Sequence, residues 1–291
     1  MEEINNHEKW TEVYTKEQLL RLQQIELSEL LIVKRICDQL NIRFVLYGGT
    51  LLGAVKYKGF IPWDDDIDIA MSREDYEKFL KEASNYLPAN MVLQNLQTEP
   101  NSPYSYTKLR LKGTKLIEKF NHDLNIEQGI YMDIYPIDDI PDNDILYKKQ
   151  FKTLQRLFSA IYKRQCLHIE KKQLFTLRGA KSYLLYKLYR LLPISSYIKK
   201  QNREMTKFND QGFQRKTCWH YPNINNYYEQ FYPLQEIEFE GHIFYAPFDT
   251  YSHLKRRYGN IEELPPLEKR LGHKVYIVDF GKYKNSELYD S

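Results

Sequence analysis

Residues 48–71 read GGTLLGAVKYKGFIPWDDDIDIAM: a glycine turn, then four aspartates in five positions, Asp64, Asp65, Asp66 and Asp68. In the run Asp66-Ile67-Asp68-Ile69 a period of two puts both aspartates on one face of a strand and both isoleucines on the other. The isoleucine face suits a core. On the acidic face two Cβ atoms stand about 7 Å apart, two strand rises. Charged oxygens at about 4 Å and an effective dielectric of about 20 repel by about 4 kcal/mol. A cation between them offsets that cost, and hard carboxylate oxygens point to Mg²⁺ or Mn²⁺.

Two other readings of the acidic run are weaker. Acidic runs are commonly solvated loops, yet Phe60-Ile61-Pro62-Trp63 precede this one and Ile67, Ile69, Ala70 and Met71 lie within or after it. The spacing of Asp64, Asp66 and Asp68 also matches the opening of a calcium loop. That loop needs glycine next and a bidentate glutamate at its last position, where Ile69 and Asp75 stand. The calcium loop fails.

Upstream, Arg43-Phe44-Val45-Leu46-Tyr47 is a short apolar strand that Gly48-Gly49-Thr50 breaks before a helix-like Leu51-Leu52-Gly53-Ala54-Val55. Strand, glycine turn and helix start together offer free backbone N–H groups and a positive dipole end, which suit phosphate. No Walker pattern is present, because Gly53 is not followed by Lys-Ser/Thr. Lys56 and Lys58 follow closely enough in sequence to help neutralise phosphate charge.

Gly48-Gly49-Thr50-Leu51-Leu52-Gly53 joined to residues 61–68, IPWDDDID, resembles the signature of the LicD family, phosphotransferases built on a nucleotidyltransferase-like fold. Residues 129–138, GIYMDIYPID, resemble the family's second acidic segment. Phe239-Glu240-Gly241, Tyr258-Gly259-Asn260, Pro265-Pro266, Arg270 and His273 resemble its C-terminal segment, so the likeness spans about residues 38 to 273. Lys56-Tyr57 is a variation, since the family pattern often has histidine there. The resemblance implies an α+β fold: a nucleotidyltransferase-like mixed sheet with flanking helices and a basic helical insertion. It also implies Mg²⁺-dependent transfer of phosphocholine from CDP-choline to a sugar hydroxyl of a cell-surface glycan precursor, of teichoic acid or lipopolysaccharide type, with release of CMP. By the same likeness Asp66 and Asp68 hold the metal, Asp133 is the third carboxylate, and the Gly48, Gly49 and Thr50 turn holds donor phosphates. Transfer of glycerol or ribitol phosphate, or of a nucleotidyl group, keeps the same metal chemistry. An inactive lipid-glycan binding scaffold is the non-enzymatic reading.

Residue patterning bears on these sites. Ile130, Met132 and Ile134 alternate with Tyr131, Asp133 and Tyr135, which places Asp133 on a strand face with two tyrosines. Its alternative is a strand-end aspartate capping a turn before Pro136. Lys108 and Arg110 share one strand face, either toward a diphosphate or toward solvent. Arg270 and His273 divide the same way between substrate contact and none. A choline head would need an aromatic cage; Trp63, Tyr131 and Tyr135 are the rings nearest these motifs.

With 291 residues the chain can be one large domain or a domain with an appendage. Cys37, Cys166 and Cys218 are too far apart for a zinc spacing, and a reducing compartment is expected. No signal peptide is expected in the acidic, polar start, and no run of 18 apolar residues occurs. A cytoplasmic enzyme, peripheral at the inner face of the membrane, follows as the expectation.

Residues 148–216 hold 18 Lys and Arg against three acids, a balance of +15 in a chain of net charge +3. Residues 183–192, YLLYKLYRLL, interleave bases with apolar and aromatic side chains. Such a helix suits an anionic membrane surface or a lipid-linked glycan acceptor; a solvated helical pair packed on the catalytic domain is the plain alternative. Bases and tyrosines also suit RNA, but no nucleic-acid partner is expected. The chain divides into a catalytic core over 1–140, a basic helical region over 141–216 and a C-terminal segment over 217–291. Helices are predicted from Thr15 to about Leu40, from Ser72 to about Tyr86, over 142–168, over 177–208 with punctuation at Gly179 and Pro193, and from near Asp249. Strands are predicted near 91–97, 104–111, 114–119 and 130–135.

Overall fold

Thr15 opens α1 (Lys16–Leu40) with the predicted capping box: its hydroxyl accepts from the Gln18 amide at 3.1 Å and the Gln18 side chain accepts from the Thr15 amide at 2.9 Å. Asn41, left-handed at φ 50°, ends the helix. The computed structural model describes residues 14–118, 120–166, 176–221, 225–266, 270, 272–273 and 275–285. Against the inner face of α1, through Leu22, Ile25, Leu30, Val33 and Ile36, packs a mixed sheet. Its strands are β1 (Phe44–Leu46), β2 (Asp68–Ser72), β3 (Met91–Gln94), β4 (Thr107–Leu111) and, after β5 (Lys115–Glu118), which lies outside this sheet, β6 (Ile130–Ile140). The spatial order is β1-β2-β6-β4-β3, with β2 and β6 parallel and the other pairs antiparallel.

Both faces of this sheet are covered. Ile69, Met71, Leu109, Ile130, Met132 and Ile134 point into the α1 core, each such burial contributing about 1.5–3 kcal/mol. Ala70, Tyr135 and Ile137 point the other way and pack with Val45, Tyr47, Cys218 and Phe231. The alternation read along Asp66–Ile69 thus separates two cores, although the ladder begins only at Asp68. β6 outruns its predicted end at Tyr135 and passes through Pro136 to Ile140. Its antiparallel neighbour β4 starts opposite Ile134, so no ladder partner there demands the N–H that Pro136 lacks.

Between β1 and β2 runs α2 (Gly48–Tyr57); after β2, Ser72 caps α3 (Arg73–Glu82), its hydroxyl accepting from the Asp75 amide at 3.1 Å. The basic region forms α4 (Asp144–Cys166), α5 (Leu177–Tyr189) and α6 (Ile194–Met205), the last two separated before Ile194 by Pro193. Gly179 does not break α5; its amide completes the first turn by donating to the Thr176 hydroxyl at 3.0 Å. The predicted end of the first basic helix at 168 falls outside the described residues. No described side chain of α5 is buried, and Leu177, Leu184 and Leu188 are exposed.

Sequence periodicity left the C-terminal third nearly blank, apart from the helix near Asp249. That third adds β7 (Arg215–Thr217) on the far end of β6, β8 (Asn225–Tyr227) beside it, and α7 (Tyr228–Phe231). The hairpin β9 (Gln235–Phe239) and β10 (His242–Ala246) turns at Glu240-Gly241, both at positive φ as a two-residue turn requires. Helix α8 (Thr250–Tyr258) follows, and β11 (Val275–Asp279) pairs with β5. The three cysteines are unpaired and buried, and among the described residues no helix is long and apolar enough to cross a membrane.

One histidine here makes the fold sensitive to acid. His220 sits among the rings of Tyr106, Tyr135 and Phe158, and neither ring nitrogen has a hydrogen-bond partner. Burial, helped by the Arg73 charge, depresses its pKa to about 3. The unfolded chain takes up a proton on this imidazole below about pH 6.5 that the folded chain refuses. Stability therefore falls as pH drops from about 6.5 toward 3, by about 1.4 kcal/mol per pH unit. His220→Phe is expected to flatten the fall of melting temperature between pH 7 and 4.5; a curve parallel to the wild type would contradict this.

Candidate active site

Strand register assembles the acidic cluster. Parallel pairing sets Asp68 of β2 opposite Asp133 of β6, while β4 sets Lys108 opposite Asp133 on the other side. The Asp133 amide donates to the Ile67 carbonyl at 2.8 Å, which holds the Asp66 segment alongside. Carboxylate oxygens of Asp66, Asp68 and Asp133 come within 4.8 Å of one another. Asp133 lies in mid-strand, not at a turn. Burial, then Asp66 and Asp133, hold the Asp68 carboxyl well above the usual carboxylate range. Burial also pushes Asp66 up to about 6 against the pull of His273, with Asp133 adding to the rise. Asp64 is raised by burial and by Asp66 and Asp65. Behind the loop, α1 contributes Glu26, whose wholly buried carboxyl is pushed well above the usual carboxylate range by burial and by Asp66 and Asp65.

Asp133 is the aspartate with fixed partners. Lys108 Nζ donates to its Oδ1 at 2.6 Å and the Tyr135 hydroxyl to its Oδ2 at 2.9 Å. The ammonium also lies over the Tyr131 ring at 3.4 Å and the Tyr104 ring at 4.4 Å. Burial lowers the Lys108 pKa, with Asp133 pulling the other way. Removing one member of a buried pair strands the other's charge. Lys108→Met is expected to destabilise the metal-free protein by about 3 kcal/mol, read as a lower denaturation midpoint; an unchanged midpoint would count against this pairing.

The glycine turn faces the same cluster. Gly48 is the first residue of α2 and lies at φ +50°, and a Cβ there would stand 2.0 Å from Asp68 Oδ2. At Gly49 a Cβ would stand 2.5 Å from Asp64 Oδ2. The Thr50 hydroxyl accepts from the Asp68 amide at 2.8 Å, and the Tyr47 amide donates to the Asp68 carbonyl at 2.9 Å. Tyr47 gives no side-chain cap, so the first-turn amides and the positive dipole end of α2 meet the carboxylates uncapped.

Other nominated cations lie elsewhere. Lys56 is in the last turn of α2, donating to the Ile261 carbonyl and, at 3.1 Å, to the Glu262 carbonyl. Arg110 is buried, donating to Gln94 Oε1 at 2.9 Å and the Gly129 carbonyl at 2.7 Å. Arg270 donates to the Pro265 carbonyl at 2.8 Å and stacks 5.4 Å from the Trp63 ring centre. His273 does reach the acidic loop: its amide and Nδ1 meet Asp65 at 2.8 and 3.0 Å, and Nδ1 lies 3.8 Å from Asp66. That hydrogen bond to Asp65 raises His273 to about 10, an imidazolium at neutral pH.

Two further residues contribute, one from within the acidic run and one with no local sequence signal. Asp65, buried, also accepts from the Tyr14 hydroxyl at 2.7 Å and so ties α1, the acidic loop and the C-terminal segment together. Tyr221 brings its hydroxyl 3.4 Å from Asp68 Oδ2 and 3.2 Å from the Tyr135 hydroxyl, while Arg257 covers its ring at 3.7 Å. Only the fold brings Tyr221 here, 153 positions beyond Asp68.

Known proteins resemble this chain in sequence. Residues 41–124, from before β1 to just past β5, match the LicD/FKTN/FKRP nucleotidyltransferase domain. The lipopolysaccharide cholinephosphotransferase LicD of Haemophilus influenzae is 28% identical over 247 residues, covering 82% of this chain and 89% of that one. Uncharacterized proteins of Rickettsia prowazekii and Rickettsia typhi are each 54% identical over 35 residues, 12% of this chain and 13% and 11% of theirs. The matched stretch holds the uncapped start of α2 together with Asp66 and Asp68, the likeness continues well beyond it, and over most of its length the chain is similar to phosphotransferases of the LicD family.

Proposed function

We propose that this enzyme transfers phosphocholine from CDP-choline to a sugar hydroxyl of a lipid-linked glycan of lipopolysaccharide type, releasing CMP. The observation that carries the reading is the trio of half-buried Asp66 and buried Asp68 and Asp133 facing the uncapped start of α2. The cholinephosphotransferase activity for which the Haemophilus relative is named supports phosphocholine as the group moved.

The donor set fits a hard divalent cation, being three carboxylates with Asp68 Oδ1 buried and without a hydrogen-bond partner. Asp66, Asp68 and Asp133 would hold Mg²⁺ or Mn²⁺, which would offset the charge that develops on the departing CMP. The amides of Gly49 and Thr50 would donate to donor phosphate oxygens at the helix start. Lys108 and the Tyr135 hydroxyl hold the Asp133 carboxylate in place. In the transfer itself the sugar oxygen bonds to the phosphorus carrying choline, the bond from that phosphorus to the CMP oxygen breaks, and a site carboxylate takes the hydroxyl proton. CMP release with Mg²⁺, acceptor glycan and a panel of CDP-choline, CDP-glycerol and CDP-ribitol tests the reading. A clear preference for either polyol donor would replace phosphocholine as the transferred group, and a teichoic acid precursor in place of lipopolysaccharide tests the acceptor.

The basic region bears on the acceptor. Leu177, Leu184, Leu188, Leu191 and Leu192 are exposed along and just after α5 within residues 148–216, with their balance of +15. Apolar side chains among bases suit the face of an anionic bilayer, where a lipid-linked acceptor resides. Co-sedimentation with vesicles containing anionic lipid at low salt is expected, and its absence would discard this contact.

A further inference from the structure

Beside the carboxylates lies a groove of about 570 Å³ that the mechanism above does not use. One wall is a stripe of α4: Phe151, Gln155, Phe158, Ser159 and Tyr162, spaced as one helical face. Elsewhere α4 carries Lys148, Lys149, Lys152, Arg156, Lys163 and Arg164, yet none of these bases lines the groove. Tyr135 and Tyr221 form the inner wall, and their hydroxyls are the ones that reach Asp133 and Asp68. Tyr106 and Trp219 add two more rings.

From this geometry, and resting on the phosphocholine reading, we propose that the groove seats the quaternary ammonium head of the donor while its phosphate lies at the carboxylates. A quaternary ammonium has no N–H to donate and is held by ring faces, with no need of hydrogen-bond acceptors. Glycerol or ribitol would present hydroxyls to a wall of mostly aromatic side chains and leave them unpaired. The missing bases on this one face of a basic helix fit a cationic occupant, which a lysine or arginine would repel. Tyr135 and Tyr221 join the two halves: ring flanks in the groove, hydroxyls at the carboxylates. Of the rings nominated near the motifs, Tyr135 lines the groove, and Tyr131 and Trp63 do not.

The test places a charge in the groove without touching the carboxylates. Tyr162 is exposed, so Tyr162→Lys is expected to fold; Phe158→Leu removes a ring while keeping an apolar side chain. Both variants are checked first by thermal melting. With CDP-choline, Tyr162→Lys is expected to raise KM about tenfold or more with kcat little changed, and Phe158→Leu to raise KM less. Independently of turnover, choline chloride is expected to change tryptophan fluorescence saturably in the wild type, and glycerol and sodium chloride are not. That response should be lost in Tyr162→Lys. Wild-type turnover of CDP-choline with an unchanged KM in Tyr162→Lys overturns the groove and leaves the function standing. If the wild type releases no CMP from CDP-choline, the function falls, and the choline titration decides the groove: saturable binding lost in Tyr162→Lys upholds an ammonium seat, and no response overturns it.

Discussion

Asp68→Asn is expected to cut CMP release by about a thousandfold or more while the metal-free protein melts at or above the wild-type temperature. The two halves of this result come from one cause. Burial, and then the like charges of Asp66 and Asp133, hold the Asp68 carboxyl well above the usual range. A group whose folded pKa is raised destabilises the fold at any pH above its unfolded value, so at neutral pH this carboxyl is a cost. Asparagine keeps the shape and removes the charge. The Thr50 hydroxyl contact survives, because it is made to the Asp68 backbone amide. Activity should then be lost with no loss of fold, as measured by CMP release and thermal melting on the same sample. Activity within a fewfold of wild type would remove Asp68 from the metal site, and a collapse in melting temperature would mean that its role is structural.

Gly48→Ala is expected to fail differently, losing both turnover and stability. A left-handed backbone costs a residue with a Cβ about 1–2 kcal/mol, and here that Cβ would lie 2.0 Å from Asp68 Oδ2. The carboxylate has to swing aside or the start of α2 has to retreat. Either motion spoils the meeting of amides and carboxylates, for which a displacement of about 1 Å costs on the order of a hundredfold in rate. A fall in melting temperature of about 5 °C should accompany it. Gly49→Ala gives a graded comparison, since its backbone is ordinary and its Cβ would press only on the end of the Asp64 side chain. Equal effects from both substitutions would contradict the account.

Much of the site was legible because it is local. Gly48 through Asp68 is one continuous stretch, and its period of two survives as two packed faces. Asp133 could be nominated from the tyrosines beside it, but only pairing between β2 and β6 makes it the partner of Asp68. Sequence nearness was a poor guide to Lys56: eight helical residues after Gly48 are about 12 Å of rise, which carries the ammonium to the other end of α2. Tyr221, His220 and the α4 stripe were silent because they meet the site through tertiary packing, which no periodicity encodes. The short strands after residue 217 were missed for lack of length, although Glu240-Gly241 was a hairpin signal available in the residues.

Asp65 fastens Tyr14, at the mouth of the first helix, to His273, 259 positions downstream. A nascent chain released from the ribosome only as far as the basic helices already carries the five strands β1, β2, β3, β4 and β6 and the acidic trio, but the loop bearing Asp66 has nothing to clasp it from the C-terminal side. Competence therefore arrives with the last stretch of synthesis, and premature termination a few codons before residue 273 should leave a well-formed sheet carrying an unlatched catalytic loop.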